Sequence, residues 1–313
     1  MEEARPLRTG PEVRAFLQVG QPPSQPPSWE PEWSEGLGEA TLHRGGYRAR
    51  DGDRVPAYLL RPAAQTDLRV GVVVFHQHNA QWHLGKSEVA GRTGDPMQAF
   101  GPILAAAGLT VLAPDALGFE DRRYHTSGTE PDPLDLDHYT KELTYRLVDG
   151  DSLARKNLSD AMDATSALSG SGDVDVVGAI GHSFGGHTTL FLSAIDERVA
   201  FACVSGAAGS YRARMANRFG IGFDQVVPGI ARRLDFDTLV ACIAPRPLLL
   251  TAGENDRYAL DVREIAAAAR PAYEQADAAQ QLECEVLPGQ HALTSERAEL
   301  ICDWTINTAR RTT

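Results

Sequence analysis

One stretch, Val174 to Leu192, limits what this chain can fold into more than any other. An apolar, β-branched run, Val174-Asp175-Val176-Val177-Gly178-Ala179-Ile180, leads into Gly181-His182-Ser183-Phe184-Gly185-Gly186, and helix-compatible residues follow. The pattern predicts a strand, a sharp turn carrying one serine, and a helix. Gly181 and Gly185 flank Ser183 in the Gly-x-Ser-x-Gly spacing of a nucleophile elbow, where two residues without side chains let the backbone arms approach while the serine takes a strained conformation. The serine oxygen is then pushed out above the sheet edge, beside the unpaired amides and positive dipole end of the helix that begins there. A bare Gly-x-Ser-x-Gly can also be an ordinary glycine-rich turn. The strand before it, the helix after it, and acid and histidine candidates downstream favour the chemical reading.

Strand and helix signals alternate along the rest of the chain. Segments either side of Arg50-Asp51-Gly52-Asp53, between Ala40 and Leu60, read as a hairpin. Val70-Gly71-Val72-Val73-Val74-Phe75 is apolar without alternation, as a central buried strand is. Pro102 to Gly108 closes a helix, Leu109 to Ala113 is the next strand, and Asp151 or Ser152 caps a helix with Leu158, Ala161, Met162, Thr165 and Leu168 on one face. Beyond the elbow, Val199 to Val204, Pro247 to Thr251 and Cys284 to Leu287 read as strands, and the last helix puts Ala298, Ile301 and Trp304 on one side. Repeated βα units imply an α/β fold, a doubly wound and mostly parallel sheet with helices on both faces and its site at the carboxyl ends of the strands.

Two connections, 116–149 and 205–239, are too long for simple loops and are expected to form partial lids. Residues 38–313 are taken as one catalytic domain. Residues 1–37 are a Pro-rich extension around Gln21-Pro22-Pro23-Ser24-Gln25-Pro26-Pro27, expected to lack regular structure across the prolines. Its Trp29 and Trp33 suggest docking, either on its own domain or on a partner subunit in a homodimer; a loose tail is the alternative.

A serine hydroxyl needs a base, and the base an orienting carboxylate. In the order serine, acid, histidine, Asp256 follows the strand ending at Thr251, and His291 follows the strand ending at Leu287. Glu254 and Asp261 compete for the acid role; His187, four residues into the elbow helix, is misplaced for the serine proton. The oxyanion hole is assigned to the Phe184 amide and to the loop after the first buried strand, with His78 the first donor and Gln77 the second. His76, Trp82, Tyr124 and Tyr211 are candidates for the substrate pocket. His76-x-His78 with His83 raises a metal reading, but its spacing is incomplete and would leave the serine, acid and histidine unexplained. No metal or organic cofactor is expected.

A net charge of −12 without clustered Lys or Arg argues against nucleic acid. No apolar run approaches the ~18 residues of a membrane span, and Met1-Glu2-Glu3-Ala4-Arg5 has no basic-then-apolar leader pattern, so a cytoplasmic location is expected. The four cysteines, Cys203, Cys242, Cys284 and Cys302, are too dispersed for a zinc or disulfide framework, and Cys203 and Cys242 read as buried thiols.

Taken together, Val72 to His78, Ala113-Pro114-Asp115, Gly181 to Gly186, Ala244-Pro245-Arg246-Pro247-Leu248-Leu249 with Gly253-x-x-Asp256, and Gly289-Gln290-His291 resemble the α/β-hydrolase superfamily, in particular its dienelactone hydrolase and acetyl xylan esterase-like branch, over roughly residues 38–310. Dienelactone hydrolases proper attack with cysteine, so Ser183 moves the reading toward a serine hydrolase. The resemblance implies cleavage of a small carboxylic ester, thioester or lactone through an acyl-enzyme. A biosynthetic acyltransferase, cyclase or C–C bond hydrolase with the same triad is the alternative, and a non-catalytic binding protein a third, disfavoured by the intact triad.

Overall fold

The structure is a computed structural model, which describes residues 5–312; the first four residues of the N-terminal extension, with their part of the leader reading, and Thr313 lie outside that range. In chain order the elements are α1 (Gly10–Phe16), β1 (Glu30–Leu37), β2 (Ala40–Arg48), β3 (Arg54–Pro62), β4 (Val70–Phe75), α2 (Lys86–Val89), α3 (Phe100–Ala106), β5 (Thr110–Pro114), α4 (Asp135–Val148) and α5 (Leu153–Ser169). There follow β6 (Val176–His182), α6 (Phe184–Ile195), β7 (Val199–Ser205), α7 (Tyr211–Ala216), α8 (Phe236–Ala241), β8 (Leu248–Gly253), α9 (Val262–Gln275), β9 (Leu282–Leu287) and α10 (Ser295–Arg311). The strands form one sheet in the order β1-β2-β3-β5-β4-β6-β7-β8-β9. The first three pair antiparallel and hand over to β5; from β5 to β9 every pairing is parallel.

Continuous apolar strands require cover on both faces, and the central strand shows how it is supplied. Val70, Val72 and Val74 of β4 pack in the layer of Phe100 and Leu104 from α3 and Ile301 and Trp304 from α10. Val73 and Phe75 point the other way, into the layer built by α1, α5, α6, α8 and α9. Each such buried valine or leucine contributes about 1.5–3 kcal/mol relative to exposure, and the side-chain period of two fixes which face each occupies.

The extension differs from the expectation of no regular structure. Thr9 and Glu12 form a capping box that starts α1, and Val13 and Leu17 are buried against the domain. The prolines of 21–27 fall between α1 and β1, where they interrupt no helix. Pro31 sits in the edge strand β1, at a register irregularity, where a missing amide leaves no inner ladder bond unmade. Trp29 packs on the core and Trp33 meets the Tyr58 ring edge-on at 6.1 Å, so these residues dock on their own domain. Cys203 is buried as expected, but Cys242 is half-buried, with its Sγ 3.6 Å from the Arg8 carbonyl. Of the second long connection, residues from Phe236 onward form α8 and belong to the core.

The connection after β5 is held by charge. Lys86, fully buried, sends its ammonium to Asp115 (2.7 Å), Glu120 (2.5 Å) and Asp121 (2.6 Å), while Arg122 pairs with Asp160 and Arg123 with Asp135. The three carboxylates around Lys86 lie close enough together to suit a cation, and the ammonium is that cation. Burial and the neighbouring Glu120 hold the Asp115 carboxyl well above its ordinary range. From pH ~4 upward the folded chain therefore retains a proton that the unfolded chain has lost, and stability falls as pH rises through that window. Lys86→Met should remove the compensating charge and cost about 3–5 kcal/mol of stability near pH 8, with a clearly smaller loss near pH 5, where the carboxylates can take up protons. Denaturant unfolding at the two pH values checks this; an equal loss at both would mean that unpaired carboxylates are not the cause.

Candidate active site

Ser183 stands between β6 and α6 with φ 57° and ψ −119°, in the left-handed half of the map that ordinary residues avoid. Its neighbours explain how the strain is tolerated. A Cβ at Gly181 would lie 2.3 Å from the Gly185 carbonyl carbon, and one at Gly185 would lie 2.0 Å from the Phe75 carbonyl oxygen. Only glycine lets the turn press this closely on β4.

The structure brings the three sequence-predicted residues together. His291 Nε2 is 2.8 Å from Ser183 Oγ, and His291 Nδ1 is 3.0 Å from each Asp256 carboxylate oxygen. Asp256 is 1% exposed and also accepts a hydrogen bond from the Tyr258 amide at 2.9 Å. The turn that carries it is laced to the histidine loop, with the Glu254 amide donating to the Leu287 carbonyl and the Asn255 amide to the Gly289 carbonyl. Behind that loop the buried Arg297 donates to the carbonyls of Gln290, His291 and Ala292. Glu254, the competing acid, is exposed, and Asp261 is engaged by Ser210.

Ser183 and His291 open into a cavity of about 480 Å³. Trp82, a pocket candidate, lines it, as do His78 and Phe184, the residues expected to supply oxyanion amides; Leu136 enters from the first long connection, and Phe223 and Asp224 from the second. Gln77, His76, Tyr124 and Tyr211 lie outside the lining. The Gln77 side chain turns away to Glu88 at 3.0 Å. His76 is buried between β4 and β5, its Nε2 accepting from the Ala116 amide at 3.1 Å, which leaves Nδ1 to donate to the Gln77 carbonyl at 2.8 Å. Tyr124 is half-exposed and stacks on His138. Tyr211 is buried, its hydroxyl donating to the Gln225 carbonyl at 3.0 Å.

Two of the three histidines, His76 and His78, offer no free lone pair to a metal. The His76 Nε2 lone pair is used by Ala116, and the His78 Nδ1 lone pair accepts from the Ala80 amide at 2.8 Å, so the nitrogens a metal would need are already committed. Burial pushes the His76 imidazole down to about 4 and lowers His78, His182 and His187 as well, so these rings are neutral near pH 7.

Arg257 and Tyr258 also line the cavity; adjacency to Asp256 was a usable sequence signal for both. Arg214, Phe223 and Asp224 carried none, because nothing local in a long polar connection says which of its residues turns inward.

No protein-family model matches the chain. The provisionally named hydrolase YtaP of Bacillus subtilis (strain 168) is 29% identical over 211 residues, a match spanning 66% of each chain and so just under two thirds of that protein's length. Among solved structures, a provisionally named acetyl xylan esterase from Bacteroides fragilis NCTC 9343 superposes with a TM-score of 0.73 at 14% identity, over 94% of this chain and 85% of that one. A glucuronoyl esterase from Solibacter usitatus gives 0.61 at 18% identity, over 96% and 91%. At such identities the likeness concerns the fold.

If Asp256 orients His291, Asp256→Asn should lower turnover by about 10⁴-fold, whereas Glu254→Gln should stay within about twofold of the parent. Steady-state rates of the two variants side by side decide the matter, and the reverse ranking would move the acid to Glu254.

Proposed function

We propose that this chain, an α/β hydrolase by fold, is a serine esterase that cleaves a compact carboxylic ester, thioester or lactone through an acyl-enzyme on Ser183. The observation that carries the reading is the continuous hydrogen-bonded line from Ser183 Oγ through His291 to Asp256. The esterases among its structural neighbours support the same class of reaction.

The chemistry follows from that line. Asp256 accepts from His291 Nδ1, which leaves the Nε2 lone pair facing the serine proton. As Ser183 Oγ bonds to the ester carbonyl carbon, its proton passes to Nε2 and negative charge develops on the carbonyl oxygen. The Phe184 amide, in the first turn of α6 where no intrahelical acceptor exists, is one donor to that oxygen. The amide of His78 is the second, with Gln77 next in line. His291 then returns the proton to the leaving alcohol, thiol or lactone oxygen. Water attacks the acyl-serine with the same histidine as base, releasing the acid.

Cavity size and composition argue for a compact substrate. About 480 Å³ falls within the range of small-molecule sites. The walls mix Trp82, Leu136, Phe184, Ile221, Phe223 and Tyr258 with Asn79, Asp224 and Arg257, so charged and polar groups stand among the apolar ones, which suits a compact substrate with polar substituents better than a long acyl chain. The two long connections are tied down by buried ion pairs and hydrogen bonds, among them Arg123 with Asp135 and the Tyr211 amide to Asp235, which suits fixed walls better than a lid that must turn an apolar face outward.

With chromogenic esters of increasing acyl length, kcat/KM should peak at about two to four acyl carbons, and Ser183→Ala should lower turnover about a thousandfold or more while the melting temperature holds. A steady rise toward ten or more carbons, or activation at a lipid interface, would overturn the compact-substrate reading. Activity that survives Ser183→Ala would overturn the mechanism.

A further inference from the structure

We propose that Arg214 is a positioning residue for the triad: a buried strut through which the second long connection holds the nucleophile's helix and the acid's turn in register. The proposal rests on the esterase reading above.

Arg214 lies on α7 and is 2% exposed. Among the described residues no carboxylate lies within 4 Å of its guanidinium, and desolvation lowers its pKa. A buried cation without a contacting counter-ion is costly, and an apolar side chain of similar volume would be the cheaper occupant of the position. What an apolar residue could not supply is a planar fork of directed donors.

Those donors fall on both sides of the site. Nη2 donates to the Tyr258 carbonyl at 2.7 Å, lies 3.1 Å from His187 Nε2 and reaches the Ala207 carbonyl at 3.4 Å, while Nη1 reaches Gln225 Oε1 at 3.4 Å. His187 is one turn beyond the nucleophile, its amide donating to the Ser183 carbonyl. A guanidinium can only donate, so His187 Nε2 accepts from Arg214, while Nδ1 faces the Gln225 amide nitrogen at 2.7 Å and Asp224 at 3.3 Å. On the other side, the Tyr258 amide donates to Asp256 Oδ1, and the Tyr258 ring stands edge-on to the His291 ring at 4.7 Å. Displacing Tyr258 therefore turns the carboxylate that orients His291 and removes the ring that backs it. A second tie runs parallel, since Ser210, the cap of α7, bonds Asp261 just beyond the acid turn.

The test uses the full chain. Arg214→Met should lower ester kcat about 10–100-fold, the scale of a catalytic group displaced by about 1 Å, with KM changed less than about threefold. Arg214→Lys, which keeps the charge but cannot reach His187 and Tyr258 together, should fall between parent and Met. In an Asp256→Asn background Arg214→Met should cost less than about twofold, because the contact through which it acts is already broken. The downfield proton resonance of the His291 Nδ1–H to Asp256 bond should broaden or shift in Arg214→Met.

A folded Arg214→Met with parental kcat and an unchanged resonance would overturn the proposal. So would a loss confined to KM, which marks a direct ligand contact, or a loss that multiplies fully with that of Asp256→Asn. Should Arg214→Met fail to fold, Arg214→Lys carries the comparison, and parental kcat with a parental resonance in that variant counts against the strut. If the parent cleaves no ester at all, the esterase reading fails while the resonance still tests Arg214.

Discussion

Everything at this site depends on one backbone conformation, that of Ser183. At φ 57° the residue is held where an ordinary side chain costs about 1–3 kcal/mol, and the surrounding structure must supply that energy. It comes from both sides of the turn. The Ser183 amide donates to the Ser205 carbonyl of β7 at 2.8 Å, while Gly185 is pressed against the Phe75 carbonyl of β4. Ser183 is thus clamped between the two neighbours of its own strand, and the apolar layers that fix β4, β6 and β7 fix it with them. Strain of this kind is stable only within a core that cannot relax, which is why Ser183 stands at the end of a strand packed between two others in the core.

Outside the sheet the means of support changes from apolar packing to charge. Phe119, from the connection after β5, stacks on Phe184 at 5.3 Å and meets the His76 and His78 rings. It is delivered there by Lys86, whose three carboxylate partners occupy that connection and its start. Long connections cannot bury enough apolar surface to order themselves, so directional interactions take over. Desolvating charges is expensive unless geometry and partners are complete, and a connection held in this way therefore has one arrangement rather than many.

The sheet, the crossover helices and the positions of Ser183, Asp256 and His291 were legible in the sequence because each is a local signal. Apolar runs such as Val70 to Phe75, a glycine pair around a serine, and an acid or a histidine just past a strand end all report themselves within a few residues. The capping box Thr9-x-x-Glu12 was equally local and was obscured by the prolines that follow it. The cavity wall was legible only in part. His78 and Trp82 lie on a short loop whose exit from β4 fixes their direction, whereas Tyr124 and Tyr211 sit in long connections where composition does not tell inward from outward. Tyr211 went to the interior to meet Phe236 and the Gln225 carbonyl, and Tyr124 to the surface beside His138. Arg214 and Lys86 were invisible for the complementary reason: each works through partners distant in sequence, 29 to 35 residues away for Lys86 and as far as 44 for Arg214.

The same separation of local from distant signals explains why one histidine among several near the serine is set apart. His76, His78, His182 and His187 are held neutral by burial. In three of them the acceptor nitrogen is also taken, by Ala116, Ala80 and Arg214 respectively. His182 is fully buried behind the triad, 4.9 Å from the His291 ring, with its Nδ1 at Ser205 Oγ. A ring so placed can fix a loop but cannot take a proton from the cavity, because its lone pair is committed or walled off and its charged form is desolvated. His291 alone among these five pairs one nitrogen with a carboxylate and presents the other to Ser183 at the cavity wall. In the proposed mechanism proton transfer thereby falls to one ring, because the others are occupied or buried, and the histidine-rich loop after β4 serves as a wall instead of a competing base.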